Sequence, residues 1–229
     1  MYVASLKLQQ IHSTYTTFTT HLCIGIMSSN IETCLTCLIA DSPRQFRAVR
    51  CEEVYPGNDW SNSWRMARLK GLGSEIFSFL WRLLHGLLAT QDRVHRILRD
   101  RSPSPLCKLC EESVVEDLQH AFFWCNFNNA AGVHLHNYVS SSIPDMPQIS
   151  TNQILHLNLD LEPSEEFFFI WFISHFLLNI WNARLEKKQV QLFRIRADLE
   201  ARASILSETR YCNEAVLVKE MIQECFQFM

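Results

Sequence analysis

Four residues able to bind a soft or borderline metal fall within nineteen positions: Cys107, Cys110, His120 and Cys125. Three thiolates and one imidazole are a common closed, tetrahedral set for structural zinc. Cys107 and Cys110 enclose only Lys108-Leu109, a spacing that suits a tight turn with both sulfurs pointing inward. A lone Cys-x-x-Cys is weak evidence in a chain with nine cysteines,. A second pair, Cys34 and Cys37, has only His21 and Cys23 near it to finish a site. The later pair gains its weight from His120 and Cys125, with polar and helix-forming residues between. His134 and His136 are alternative nitrogen ligands at the expense of a larger loop. The other reading is three reduced core cysteines and a packed histidine, since free cysteine often behaves as a small hydrophobe.

The flanking segments must position these groups. Ser102-Pro103-Ser104-Pro105 brings the chain in extended, preset by proline,. Val115 to Cys125 reads as a short helix carrying His120. On a regular helix Cys125 would lie about 140° round from His120, at or past a frayed end, with Asn126 helping to stop it.

The rest of the chain reads as helical. Its 229 residues are 48% hydrophobic, Gly and Pro are few (6 and 7), and strand-turn-strand patterns are scarce. The expected fold class is all-α: a helical domain with an inserted Cys3His zinc knuckle. Residues 1–57 form a poorly specified N-terminal segment and linker. Residues 58–145 form the zinc-binding domain, and 146–229 a C-terminal helical region packed on it. Trp64 to Lys70 reads as a short helical turn, ended by Gly71-Leu-Gly73. Ser74 serves as N-cap of a helix to Leu88 whose apolar residues cover most of its circumference, so that helix is expected at the centre. Thr90 caps a helix through Val94, Ile97 and Leu98. Asn128 to Ser140 continues helical, and Ser141 to Gln148 is a loop. Ile154 to Leu161 is a helical turn or an isolated extended piece. Pro163 opens a long helix to about Lys188. Leu192, Ile195, Leu199 and Leu206 mark one stripe of the next helix. Val190, Phe193, Ala197 and Ala201 mark a second, so the helix is expected to pack on both sides. Ala215 to Phe228 forms a last amphipathic helix.

Charge and compartment narrow the function. A net charge of −3 gives no overall nucleic-acid signature. Locally the balance differs: Trp60 to Ser102 holds eight Lys/Arg against three Asp/Glu. Arg93, Arg96 and Arg99 advance by three along one side of a helix, with Val94, Ile97 and Leu98 taking the other. Arg82, Arg101 and Lys108 widen the row into a candidate phosphate-binding face for RNA or DNA. The bland reading is a solvated helix face, and the four acids between Pro103 and Cys125 could neutralise it. The odd cysteine count argues against a complete disulfide framework, and Lys7 with the polar run Ser13–Thr20 interrupts any signal peptide,. The expected location is intracellular, in cytoplasm or nucleus. Phe167 to Trp181 is apolar but fifteen residues long, with His175 and Asn179 inside it, and reads as a core helix rather than a membrane span,.

The motif series resembles the zinc-binding region that follows the polymerase in non-LTR retrotransposon reverse transcriptases. Phe79-Leu-Trp-Arg82, the leucine-rich helix, Thr90, Arg93, Cys107, Cys110, His120 and Cys125 stand in that family's order. Glu116-Asp-Leu-Gln-His-Ala-Phe-Phe-Trp-Cys125 matches the run holding the last two ligands, and Arg184-Leu-Glu-Lys-Lys-Gln-Val190 resembles the tail of animal versions. The resemblance covers roughly residues 41–225. It implies a Zn2+ site and a part in holding template RNA or target DNA. No aromatic-x-Asp-Asp motif and no endonuclease-type Asp/Glu/His cluster is present, and the eight aspartates are isolated, so neither metal-dependent chemistry has its carboxylates. The chain looks like the detached C-terminal piece of a retroelement polyprotein, expected to be non-enzymatic with no small-molecule substrate or membrane partner. A structural or protein-interaction remnant, with zinc serving only the fold, is the competing reading. A Cys/His hydrolase has no recognisable nucleophile signature here.

Overall fold

The computed structural model describes residues 58–98, 104–143 and 149–227. All belong to one structural unit, Val49–Met229. The N-terminal segment to residue 57 with Cys34 and Cys37, Arg99, Arg101, Ser102-Pro103, loop residues 144–148 and Phe228 lie outside the described residues.

Eight α-helices appear among the described residues: α1 (Trp60–Ala67), α2 (Ser74–Leu84), α3 (Gln91–Leu98), α4 (Asn129–Ser142), α5 (Thr151–Leu155), α6 (Glu166–Leu185), α7 (Leu192–Ser207) and α8 (Cys212–Cys225). A π turn, His120–Trp124, lies between α3 and α4. The only β pairing among them is one isolated bridge, Leu106 with Val115. The fold is all-α with the Cys3His group inserted, as the sequence indicates.

Local signals explain most boundaries. The Asp59 carboxylate accepts from the Asn62 amide at 3.0 Å, so α1 begins a turn earlier than its apolar spacing suggests. Thr90 caps α3, accepting from the Arg93 amide at 3.4 Å. Ser150 and Gln153 form a reciprocal capping box on α5,. Ser74 is not an N-cap: that place is taken by Gly73 at φ 83°, and Ser74 is the first helical residue. Gly71, at φ 102°, passes so close to Phe167 and Tyr211 that a Cβ there would meet both rings at 2.7–2.8 Å. Only glycine fits that crossing.

The central helix is α6, not α2. Every residue from Phe169 to Leu178 is buried, as are Ile180, Trp181 and Arg184. It touches α1, α2, the π turn, α4, α7 and α8. Helix α2 buries Ile76, Phe79, Leu80, Leu83 and Leu84, and leaves Arg82 exposed and Phe77 and Trp81 partly so. One contiguous core runs from Met66 to Phe226. Helix α7 buries Ile195, Leu199, Ala203 and Leu206. Its second apolar row is not covered: Phe193 is 60% exposed and Ala197 and Ala201 also face solvent. Spacing shows that a row is apolar; a partner must exist to bury it. Among the described residues, no helix is long and apolar enough to cross a membrane.

Two imidazoles inside this core make stability depend on pH. His156 and His175 are buried, and burial holds both at about 4. His175 Nδ1 donates to the Trp171 carbonyl at 2.8 Å. The unfolded chain binds these protons at about pH 6.5. Above that pH both states are neutral and stability is complete. From about 6.5 down to 4 the unfolded chain protonates first, so stability falls, by roughly 3 kcal/mol per histidine at full effect. Urea midpoints from pH 7 to 4.5, with chelator present throughout, should decline for the parent and decline less steeply for His175→Gln. Equal slopes would contradict the buried neutral state.

Candidate metal centre

The chain enters the site through the Leu106–Val115 bridge, which folds 105–116 back on itself. The Cys107 amide donates to the Val114 carbonyl at 2.8 Å and the Glu116 amide to the Pro105 carbonyl at 3.0 Å. Inside this loop the Leu109 amide points at the Cys107 sulfur at 3.4 Å, the amide-to-sulfur contact of a knuckle turn. Asp117 starts the next element, accepting from the His120 amide at 2.8 Å. Leu118 and Gln119 are α-helical, and the helix then widens. The Cys125 amide donates to the His120 carbonyl at 2.8 Å, a π-type bond five residues back,. This differs from the regular helix inferred for Val115–Cys125. A ring of five residues brings Cys125 back beneath His120 rather than a third of a turn away. Helix α4 backs the π turn closely: a Cβ on Gly132 would collide with the Phe122 carbonyl and meet Phe123 Cα at 2.7 Å.

Cys107, Cys110, His120 and Cys125 converge, with their ligand atoms all within 4.8 Å of one another. The Cys107 and Cys125 sulfurs stand 3.7 Å apart, and the Cys110 sulfur 3.4 Å from His120 Nε2. Two sulfurs at about 2.3 Å from one tetrahedral zinc stand about 3.8 Å apart. Four ligand atoms, two soft edges of the right length and three buried members fit a closed metal site. His134 and His136 are elsewhere: His134 Nε2 lies 3.3 Å from Cys225, and His136 Nε2 bonds the Ile149 carbonyl at 2.7 Å. The five described cysteines are all free.

Burial pushes the Cys107 thiol up, and that of Cys125 up to about 12. Adjacent negative charge adds to both, from Glu116 at Cys107 and from Cys107 at Cys125, while the Leu109 amide works the other way at Cys107. A bound divalent cation would supply the charge that displaces these protons.

Sequence reasoning missed what surrounds the ligands. Glu116 is 1% exposed and Arg184 8% exposed. Arg184 Nε donates to Glu116 Oε1 at 2.7 Å, and Nη2 completes a bidentate pair with Oε2. The same carboxylate accepts from the Gln91 amide at 2.8 Å and lies 3.8 Å from the Cys107 sulfur. Above the guanidinium sits Trp181, 4.9 Å away, which stacks on Phe122 of the π turn at 5.8 Å. Asn128 Oδ1 accepts from the Val190 amide at 3.0 Å. The end of α6 therefore meets the metal centre through an ion pair, a ring stack and a backbone bond. A single Arg closing a long apolar helix was the available signal, since such a charge must find a partner.

The basic row is less free than its spacing implies. Arg93 Nη1 donates to the Gly86 carbonyl at 2.6 Å, Arg96 pairs with Asp92 at 2.7 Å, and Arg82 Nε bonds the Ser78 carbonyl at 3.1 Å. Lys108 is exposed. Ile97 and Leu98 do not anchor the opposite side: they are 42% and 47% exposed, and α3 has no buried residue. Three of the four acids in 111–117 are engaged elsewhere. Glu116 turns to Arg184, Glu112 to Asn126, and Asp117 to the His120 amide.

Residues 48–131 match the family described as zinc-binding in reverse transcriptase. The match spans α1 to the start of α4 and includes all four converging residues. It is to a zinc-binding region, not to the polymerase catalytic domain. No curated protein matches the chain, and no solved structure matches it.

Proposed function

We propose that the chain is a non-catalytic zinc-binding module of the reverse-transcriptase type, and that it contributes binding to RNA or DNA. The observation that carries the zinc assignment is the closed Cys3His convergence inside the matched segment. Four protein ligands leave no open position for a substrate or water, which is the arrangement of structural rather than catalytic zinc. Cys107, Cys110, His120 and Cys125 would hold the ion, and the ion would fix the knuckle to the π turn. Five free thiols among the described residues suit a reducing, intracellular setting,.

Support for nucleic-acid binding is the concentration of eight cations between Trp60 and Ser102. Arg82, Arg93, Arg96, Arg99, Arg101 and Lys108 are its sequence-derived candidates. A second reading, a structural or protein-interaction remnant, is favoured by the internal engagement of Arg93 and Arg96. A salt titration separates the two. Oligonucleotide binding to the zinc-loaded chain should weaken linearly in log affinity against log salt, by about 0.7–0.9 per phosphate contact. No measurable binding at 50 mM salt would favour the remnant.

A further inference from the structure

We propose that the outer face of α1, with the aromatic ledge beside it, is a binding site for single-stranded nucleic acid. This rests on the nucleic-acid role proposed above and locates it away from the arginines of α3. Ser61, Trp64, Arg65 and Arg68 recur at helical spacing, while Ser63, Met66 and Ala67 take the buried side. With Leu69 and Lys70 they line a hollow of about 660 Å³ that contains no acidic side chain. Arg65 is held by Glu166, whose two oxygens lie 2.7 and 2.6 Å from Nη1, and by Asn62 at 2.7 Å. Arg68 and Lys70 are exposed, and among the described residues neither has a carboxylate within ion-pair distance. Two partly exposed arginines of α7 are paired instead: Arg196 with Glu200, and Arg202 with Asp198 and Glu75.

Three rings continue the face from the hollow. Trp64 lies 4.7 Å from His85, and His85 lies 4.6 Å from Trp81, centroid to centroid. All three are partly exposed. Burial lowers the His85 imidazole, so this ring adds a neutral surface to the ledge rather than a third cation. The loop after Lys70 is pinned where Gly71 crosses the Phe167–Tyr211 stack, rings 5.1 Å apart, so the cations and the rings are held in fixed relation. Paired cations beside a run of partly exposed rings suit a strand whose bases are unpaired: phosphates meet Arg68 and Lys70, and bases stack along Trp64 and Trp81. A duplex hides its base faces and would use the cations alone. An acidic peptide would leave the rings unused.

The test uses the full zinc-loaded chain and fluorescein-labelled 12-nucleotide oligouridylate and oligothymidylate, read by anisotropy at 50–300 mM KCl. Arg68→Gln/Lys70→Gln, both at the surface, should weaken binding about tenfold or more at low salt and flatten the salt slope by about 1.4, two contacts at 0.7 each on a single strand. Trp81→Leu should weaken binding at least about fivefold with the slope unchanged, the signature of lost stacking. Arg194→Gln, at an exposed position of α7, should bind as the parent does, and Arg96→Gln/Lys108→Gln tests the competing cations around α3. If the parent binds and only Arg96→Gln/Lys108→Gln weakens it, the site lies on α3 and this proposal falls while the general role stands. If a 12-base-pair duplex binds as tightly as the single strands and Trp81→Leu is silent, or if polyglutamate competes equally per charge, the single-strand site is wrong. If the parent binds no oligonucleotide at all, the general role fails with it.

Discussion

Cys110→Ser is expected to abolish tight metal binding and to loosen the segment 104–125 while leaving the α6–α8 core helical. Cys110 is the least buried of the four ligands, so its loss leaves the smallest packing defect. Its sulfur sits 3.4 Å from His120 Nε2, on the edge opposite Cys107 and Cys125. A hydroxyl there cannot replace a thiolate on a soft-ligand ion. The loss in affinity should exceed the roughly 10–100-fold typical of changes outside the ligand shell. The knuckle, 104–115, depends most on the ion because little else holds it: Val114 and Val115 are 43% and 45% exposed, and its regular pairing is one bridge. Binding energy at such sites is folding energy. Hydrogen exchange should therefore rise first at the Cys107, Glu116 and Cys125 amides, with α6 still protected. Uniform protection in parent and variant would mean that the knuckle folds without metal.

Arg184→Met is expected to weaken both folding and zinc binding, although Arg184 touches no ligand. Removing one partner of a buried ion pair costs about 3–5 kcal/mol because the other charge is stranded. Here the stranded group is Glu116, 3.8 Å from the Cys107 sulfur. Three thiolates on a dication carry a net negative charge, so an unpaired carboxylate beside them also opposes ion uptake. A zinc affinity 10–100-fold below the parent is expected, the range for residues that support ligands. The double variant Glu116→Gln/Arg184→Met should recover most of both losses, since Gln keeps an acceptor for the Gln91 amide and carries no charge. Urea denaturation and competition with a chromophoric chelator read the two quantities. A double variant no better than Arg184→Met would show that the arginine acts by packing on Trp181 instead.

These two expectations mark the limits of what the sequence makes legible. The four ligands are readable because metal chemistry restricts residue type and spacing together. Helices α2 and α8 are readable because their apolar residues recur at helical spacing, and α6 because an unbroken apolar run too short for a membrane has to be core,. The π turn is not: whether Cys125 returns beneath His120 is decided by one bond five residues back and by α4 closing on it at Gly132. Nor is the Glu116–Arg184 pair, which joins residues 68 apart. The exposed row Phe193–Ala197–Ala201 repeats as regularly as the buried one, because period reports apolarity and not coverage. The hollow on α1 escapes for a similar reason: Trp64 and Arg68 lie four apart in one stretch, yet the rings that extend the ledge from Trp64, His85 and then Trp81, come from the end of α2.

One zinc ion, held by Cys107, Cys110, His120 and Cys125, is expected in each chain. Native mass spectrometry of the full chain, purified without chelator and paired with elemental analysis, tests it most directly. One zinc per chain is predicted, absent from Cys110→Ser and released on acidification as its ligands take up protons. A parent chain that carries no metal, yet shows the same helical signal and the same protection at 104–125 as after zinc addition, would contradict it.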